Sequence, residues 1–182
     1  MKQKRSIAVR QGRHQAGMTL IETVIALGIL LVVSTGIMSI ALVAITTTET
    51  QGHLAARTAE YAQDKMEQLI SLSYADSVSD TTQFPAANSG GTGLDFGGSS
   101  DPAAPVEGYT DYLDASGTPM AVVGGAAPAG WYFKRVWEIS APAGTSNMKQ
   151  LTVTAIVAFN APTTGSGRTV QTTVTGMKTS PF

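Results

Sequence analysis

Gly17-Met18-Thr19-Leu20-Ile21-Glu22-Thr23-Val24 opens directly into VIALGILLVVSTGIMSIALVAI, Val24–Ile45, a run without a single charge. About 20 such residues in a helix cross the roughly 30 Å hydrocarbon core of a bilayer. The run is longer than the apolar stretch of a signal peptide, and ITTTETQGH after it is a poor cleavage site, so the segment is expected to stay in the mature protein. Gly28, Ser34, Thr35, Gly36 and Ser39 dilute it with small residues, which let membrane helices approach closely.

Before the run, residues 1–17 hold Lys2, Lys4, Arg5, Arg10 and Arg13 and no acid. A basic segment ahead of an apolar span keeps that end in the cytoplasm and sends the rest across. A nucleic-acid arm is the competing reading, and the span that follows so closely argues against it. Within the span's entry, Glu22 is a carboxylate at the lip of a hydrophobic helix, and the next Lys or Arg is Arg57. Charges in such places are costly and need partners. A partner for Glu22 must come from another molecule or from processing. Cleavage after Gly17 would create one, the free amine of Met18, one turn from Glu22 or opposite the Glu22 of a neighbour.

The stretch G-M-T-L-I-E-T-V-I-A-L, with its basic leader, resembles the prepilin N-terminal motif of type IV pilins and type II secretion pseudopilins. The resemblance implies that prepilin peptidase cuts between Gly17 and Met18 and that Met18 is N-methylated. It implies that Glu22 neutralises the terminal amine of an adjacent subunit during assembly. Its implied partners are prepilin peptidase, other pilin or pseudopilin subunits, the inner-membrane assembly platform and, before assembly, the lipid bilayer. The implied location is the bacterial inner membrane, single-pass with the N-terminus cytoplasmic, then an extracytoplasmic filament. Met18 stands where Phe is commonest, and the 17-residue leader is longer than the shortest ones.

The whole chain of 182 residues has 12 Lys+Arg and 13 Asp+Glu, a net charge of -1. Only 14% of residues are charged, against about 25% in globular domains. With no Cys, the chain makes no disulfide, thiolate metal site or Cys nucleophile, and the C-terminal disulfide of many type IV pilins is excluded. His14 and His53 are its two histidines, which argues against His-based metal or catalytic sites. The few scattered basic residues after the leader argue against direct nucleic-acid binding.

Five segments are expected: a leader at 1–17, a membrane or filament-core helix at 18–45, an amphipathic helix at 46–75, a Gly/Pro-rich connection at 76–130 and an antiparallel sheet at 131–182. From His53 to Leu72, Leu54, Ala55, Ala59, Ala62, Met66, Leu69 and Ile70 recur at spacings of three and four and form one apolar stripe. A helix from about Met18 to Ser73 would be roughly 80 Å long. Thr46–Thr48 and Gly52 are weak helix formers at its junction. Short strands are expected near Tyr109–Leu113 and Met120–Val123.

Trp131–Ile139, Lys149–Phe159 and Arg168–Thr175 alternate as strands, with Trp131, Phe133, Trp137 and Ile139 on one side. The two tryptophans are expected in the core rather than in an exposed patch. The fold class is α+β: a long N-terminal helix packed on a three- to four-stranded antiparallel sheet, which the resemblance also implies. AEYAQDKMEQLISLSY with the KQLTVT strand is similar to minor pilins of the pilus-modification class and to the I-type minor pseudopilin.

No catalytic set, cofactor or metal is read from these residues. Asp95, Asp101, Asp111 and Asp114 raise the question of calcium, but no D-x-D-x-D-G loop holds them. Gly90-Gly91-Thr92-Gly93 lacks the Lys and frame of a phosphate loop and reads as a surface loop. The expected function is therefore a structural subunit, a minor pilin of a type IV pilus-like filament, with a minor pseudopilin of type II secretion or an unassembled anchored binding domain as alternatives.

Overall fold

A computed structural model of the chain describes residues 19–122, 126–145, 147–158 and 169–180. By its contacts the chain divides into two units, Met1–Ile45 and Thr46–Phe182. One helix, α1 (Leu20–Ser71), begins in the first and ends in the second.

In the first unit every large apolar side chain of α1 from Leu20 to Ile45 is exposed. The segment is helical because nothing in it, Pro or paired charge, competes with the backbone ladder. Its hydroxyls turn inward: Thr35 Oγ1 donates to Leu31 O at 3.0 Å and Ser39 Oγ to Thr35 O at 3.0 Å. Back-bonding of this kind hides polar groups that would otherwise be stranded in an apolar surround.

The second unit packs the rest of α1 against an antiparallel sheet. Its strands are β1 (Gly97–Gly98), β2 (Thr110–Leu113), β3 (Pro119–Met120), β4 (Phe133–Ser140), β5 (Met148–Val157) and β6 (Gln171–Thr179). The order is β3-β2-β4-β5-β6, and β1 pairs with β4 beside β2. β2 takes Phe133–Val136 of β4, and β1 takes Glu138 and Ile139. The α+β class stands, but the sheet has six strands rather than three to four. The extra ones are two residues long, too short to carry a period-two signal. β1 exists because Gly98, at φ +83°, can lie where a Cβ would be 2.1 Å from the Trp137 carbonyl oxygen. The expected strand at Met120–Val123 is displaced to Pro119–Met120, and Val123 lies outside the described residues.

β4 and β5 bury the alternate residues that the period predicts: Phe133, Trp137 and Ile139, then Leu151, Val153, Ala155 and Val157. They meet Ala62, Met66 and Leu69 of α1, while Leu54 and Tyr61 close a second cluster with Leu113, Phe133 and Val157. Tyr61 meets the Phe133 ring edge-on, with centroids 4.8 Å apart. Burial of a side chain of this size contributes about 1.5–3 kcal/mol. Trp137 is fully buried, as expected; Trp131 is only half-buried, set edge-on to Tyr112.

The apolar stripe of α1 is placed differently from the expectation. Ala55 and Ile70 are exposed, and the sheet instead covers Thr58, Lys65 and Gln68 along with Leu54, Ala62, Met66 and Leu69. The cause is an acceptor, Asp111, waiting on β2. It draws a Lys under the helix where the pattern alone would place only apolar groups.

Candidate functional site

The N-terminal site is built on the first turn of α1. Thr19 O accepts from Glu22 N–H at 3.0 Å and from Thr23 N–H at 3.2 Å, which makes Thr19 the residue that starts the ladder. Thr23 Oγ1 donates to Leu20 O at 2.8 Å. Glu22 thus sits in the first turn, where unpaired N–H groups and the helix dipole favour negative charge. Thr19 and Glu22 also have capping-box spacing, a local signal that the reading of the motif passed over.

The Glu22 side chain is exposed, and among the described residues no cation lies within ion-pair reach of it. It is followed at once by the exposed apolar surface of the first unit, long and apolar enough for a membrane crossing. Gly17 and Met18, the expected processing residues, lie outside the described residues. The exposed carboxylate is thus free to accept a cation from outside the chain.

A second constellation was not foreseen. Asp111 of β2 is buried between two cations. Its carboxylate accepts from Arg135 Nε and Nη2, both at 2.7 Å, and from Lys65 Nζ at 2.8 Å. Arg135 Nη1 reaches Tyr61 O at 3.4 Å. Lys65 Nζ also donates to Gln68 Oε1 at 2.8 Å and to Thr81 O, and sits 4.0 Å from the centre of the Trp137 ring. Burial lowers Lys65 to about 8, against the pull of Asp111. For Asp111, burial pushes upward, but Lys65 and Arg135 outweigh it and hold the carboxyl below its ordinary value. A forked Arg–carboxylate pair has little freedom, and at 2% exposure the Asp111 carboxylate is out of reach of a substrate. The cluster is a clamp between α1, β2 and β4.

Lys149 does similar work at the end of α1. Its Nζ donates to Tyr74 O at 2.9 Å and Leu94 O at 2.7 Å, which ties β5 to the connection after the helix.

That connection is held by local bonds. Asp76 accepts from Val78 N–H, Ser79 N–H and Ser79 Oγ, and Gly91 N–H donates to Val78 O at 3.0 Å. Gly90–Gly93 is thus stitched to Val78–Asp80 rather than being an open surface loop. Beside it lies a cavity of about 630 Å³ lined by Asp80, Thr82, Glu107, Thr110 and Tyr112 among others. Both Asp80 oxygens are occupied by Thr82 and Gln83.

The four aspartates considered for calcium are not brought together. Asp111 is in the clamp, Asp114 accepts from Ser116 and Thr118, Asp101 accepts from Ala103 N–H, and the Asp95 carbonyl accepts from Tyr109. Among the described residues no three His, Cys, Asp or Glu side chains group as metal ligands.

An apolar helix with a carboxylate in its first turn, joined to an α+β domain, fits a membrane-anchored protein. Residues 12–38 match the family model of the prokaryotic N-terminal methylation motif, so the chain carries the type IV pilin and pseudopilin signal. That motif implies processing by prepilin peptidase and assembly with other pilin subunits, and its family is structural. No curated protein and no solved structure matches the chain.

Proposed function

We propose that the chain is a subunit of a type IV pilus-like filament, a minor pilin that acts structurally and not as an enzyme. Prepilin peptidase cuts between Gly17 and Met18 and Met18 is N-methylated. Before assembly the N-terminus is cytoplasmic, α1 spans the inner membrane and the second unit is extracytoplasmic. The assembly platform then draws the subunit from the bilayer into the filament.

One observation carries this reading: among the described residues Glu22 stands exposed and without an ion-pair partner, at the start of an apolar helix whose large side chains are all exposed up to Ile45. Leaving lipid for a filament exchanges one apolar surround for another, so burial alone contributes little. A carboxylate facing the new amine of a neighbour adds a directional term that is strong where water is excluded and costly where the partner is missing. The pair therefore sets which turn of one helix lies beside which turn of the next.

The test is the intact mass and N-terminal sequence of the protein from membranes with and without prepilin peptidase. A peptidase-dependent chain starting at N-methylated Met18 is expected. A chain that keeps Lys2 to Gly17 in both would overturn the proposal. Recovery of the mature chain from sheared surface filaments, rather than from the periplasm alone, separates a pilus subunit from a secretion pseudopilin.

A further inference from the structure

β6 ends the sheet on one side. Its bonds to β5 are made by even-numbered residues: at the two ends of the ladder Val157 N–H donates to Val170 O at 3.2 Å and Ser180 N–H to Asn147 O at 2.9 Å. Between them the register runs unbroken from Gln171↔Ile156 to Thr179↔Met148. In an antiparallel ladder each residue turns its N–H and C=O to one side and its neighbour turns them to the other. Gln171, Thr173, Thr175, Met177 and Thr179 therefore aim both groups out of the sheet, and no described strand lies there.

Exposed edges are normally blunted by Pro, bulges, short length or outward charge. β6 has none of these. Its one charge, Lys178, is drawn to α1, where Nζ donates to Ile70 O. The opposite edge, β3, is two residues long and starts at Pro119. Among the described strands longer than two residues, β6 alone forms an open edge.

The flank of α1 above that edge is uncharged and largely uncovered: Ala55, Gln63 and Ile70 are exposed and Ala59 is half-buried. Gly176 brings the helix close: a Cβ there would lie 2.9 Å from Met66 Sδ and 3.6 Å from Ile70 Cδ1. Ile70 is 44% exposed. Ala59 lies three turns before it and Ala55 one turn earlier, so all three share one flank. They belong to the sequence's apolar stripe, and the described sheet leaves Ala55 and Ile70 exposed and Ala59 half-covered.

We propose that the outer edge of β6 is a strand-addition site for an extended, Pro-free segment of a different protein chain, with uncharged apolar side chains at alternate positions facing α1. Main-chain bonds to the five outward residues hold the segment, and its apolar side chains cover Ala55, Ala59 and Ile70. A second copy of this chain does not fit. Antiparallel β6–β6 pairing would run the two 46–71 helix segments in opposite directions, whereas two copies anchored in one bilayer need both Thr46 ends on the same side. That step rests on the membrane anchoring proposed above. Parallel pairing would turn Gln171, Thr173, Thr175 and Met177 of the second copy towards α1, and three of these four are polar where Ala55 and Ile70 are apolar. Head-to-tail pairing would meet the two-residue edge at Pro119.

The test places the photo-reactive residue p-benzoylphenylalanine at Met177 of the full chain in producing cells and maps the adduct by mass spectrometry. The expected adduct joins a segment of another protein. Thr175→Pro removes an outward N–H that β5 does not use and should cut the yield about tenfold, the equivalent of about 1.4 kcal/mol. Thr175→Ala should leave it unchanged. Unaltered Trp fluorescence in both variants confirms that the core is folded. An adduct within the chain, one with a second copy, no adduct, or one indifferent to Thr175→Pro overturns the inference. The mature mass, read on the same samples, reports separately on processing, so a failure of the filament reading is seen apart from a failure at β6.

Discussion

Replacing Asp111 with Asn keeps the volume and one acceptor but removes the only carboxylate between Lys65 and Arg135. Both cations stay buried, with side-chain exposures of 0% and 5%. Removing one member of a buried pair costs about 3–5 kcal/mol, because the other charge is left uncompensated. Here two are left, so a loss near the top of that range, about 4–5 kcal/mol, is expected. Against a typical total of about 5–15 kcal/mol this is roughly a quarter or more of the stability. With a urea slope of about 2 kcal/mol/M the midpoint falls by about 2 M. Trp137, 4.0 Å under the Lys65 ammonium, supplies the fluorescence signal for the full chain in detergent. Lys65 adds a pH signature. Its folded value, about 8, lies below the ordinary 10.5, so its protonated form destabilises the fold at low pH, and stability rises as pH climbs from about 8 towards 10.5. Without the pull of Asp111 its value drops further, so in the variant the rise begins at lower pH. Adding Lys65→Met to Asp111→Asn removes one uncompensated cation and should recover part of the loss. A midpoint shift below about 0.5 M for Asp111→Asn, or a double variant worse than the sum of the singles, would refute the clamp.

Glu22→Ala should be cleaved normally yet fail to enter filaments; incorporation at the unaltered level, read by immunoblot of sheared filaments, would count against the amine pairing. Gly17→Arg should block processing, and intact mass would then show residues 1–17 retained. Gly98→Ala should cost about 1–3 kcal/mol in urea unfolding, since φ +83° and the Trp137 carbonyl both oppose a Cβ. Asp76, Asp80 and Asp111 are held below their ordinary 3.8, by hydrogen bonds that outweigh burial in the first two and by Lys65 and Arg135 in the third. Their contribution is present above pH 3.8 and lost as pH falls through their lowered values, so the urea midpoint should hold from neutral pH to about 5 and drop below 3.8.

The N-terminal site was legible because its parts are neighbours in the chain. The basic residues, Glu22 and the apolar run fall within one short window, and their meaning depends on order and spacing. The strands β4 and β5 were legible for the same reason: alternation in Phe133–Ile139 or Leu151–Val157 is a local pattern. The third strand, expected at Arg168–Thr175, runs instead over Gln171–Thr179, because its Thr-rich sequence marks its ends weakly. The clamp was hidden because it joins Asp111 to Arg135, 24 positions on, and to Lys65, 46 positions back. A periodicity argument assigns every charge of an amphipathic helix to water, and it dropped Lys65 from the buried side for that reason. Arg135 was passed over on the apolar face of β4, although a lone charge at an inward position is itself a cue that a counter-charge waits inside. β1 left no trace because two residues cannot alternate, and β3, for the same reason, was placed only approximately, at Met120–Val123 rather than Pro119–Met120.

The clamp also has a mechanical side. Apolar contacts between a helix and a sheet are non-directional, and sliding by a fraction of a turn costs them little. The bond from Lys65 of α1 to Asp111 of β2 is short and directional, so the same slide would stretch it, while the Arg135–Asp111 fork lies within the sheet and holds the acceptor in place. A pull along α1 therefore reaches the sheet in shear at a buried ionic rivet, flanked by the Thr58–Thr172 and Lys178–Ile70 bonds, and the 46–71 segment holds its register until those links break rather than creeping along the sheet.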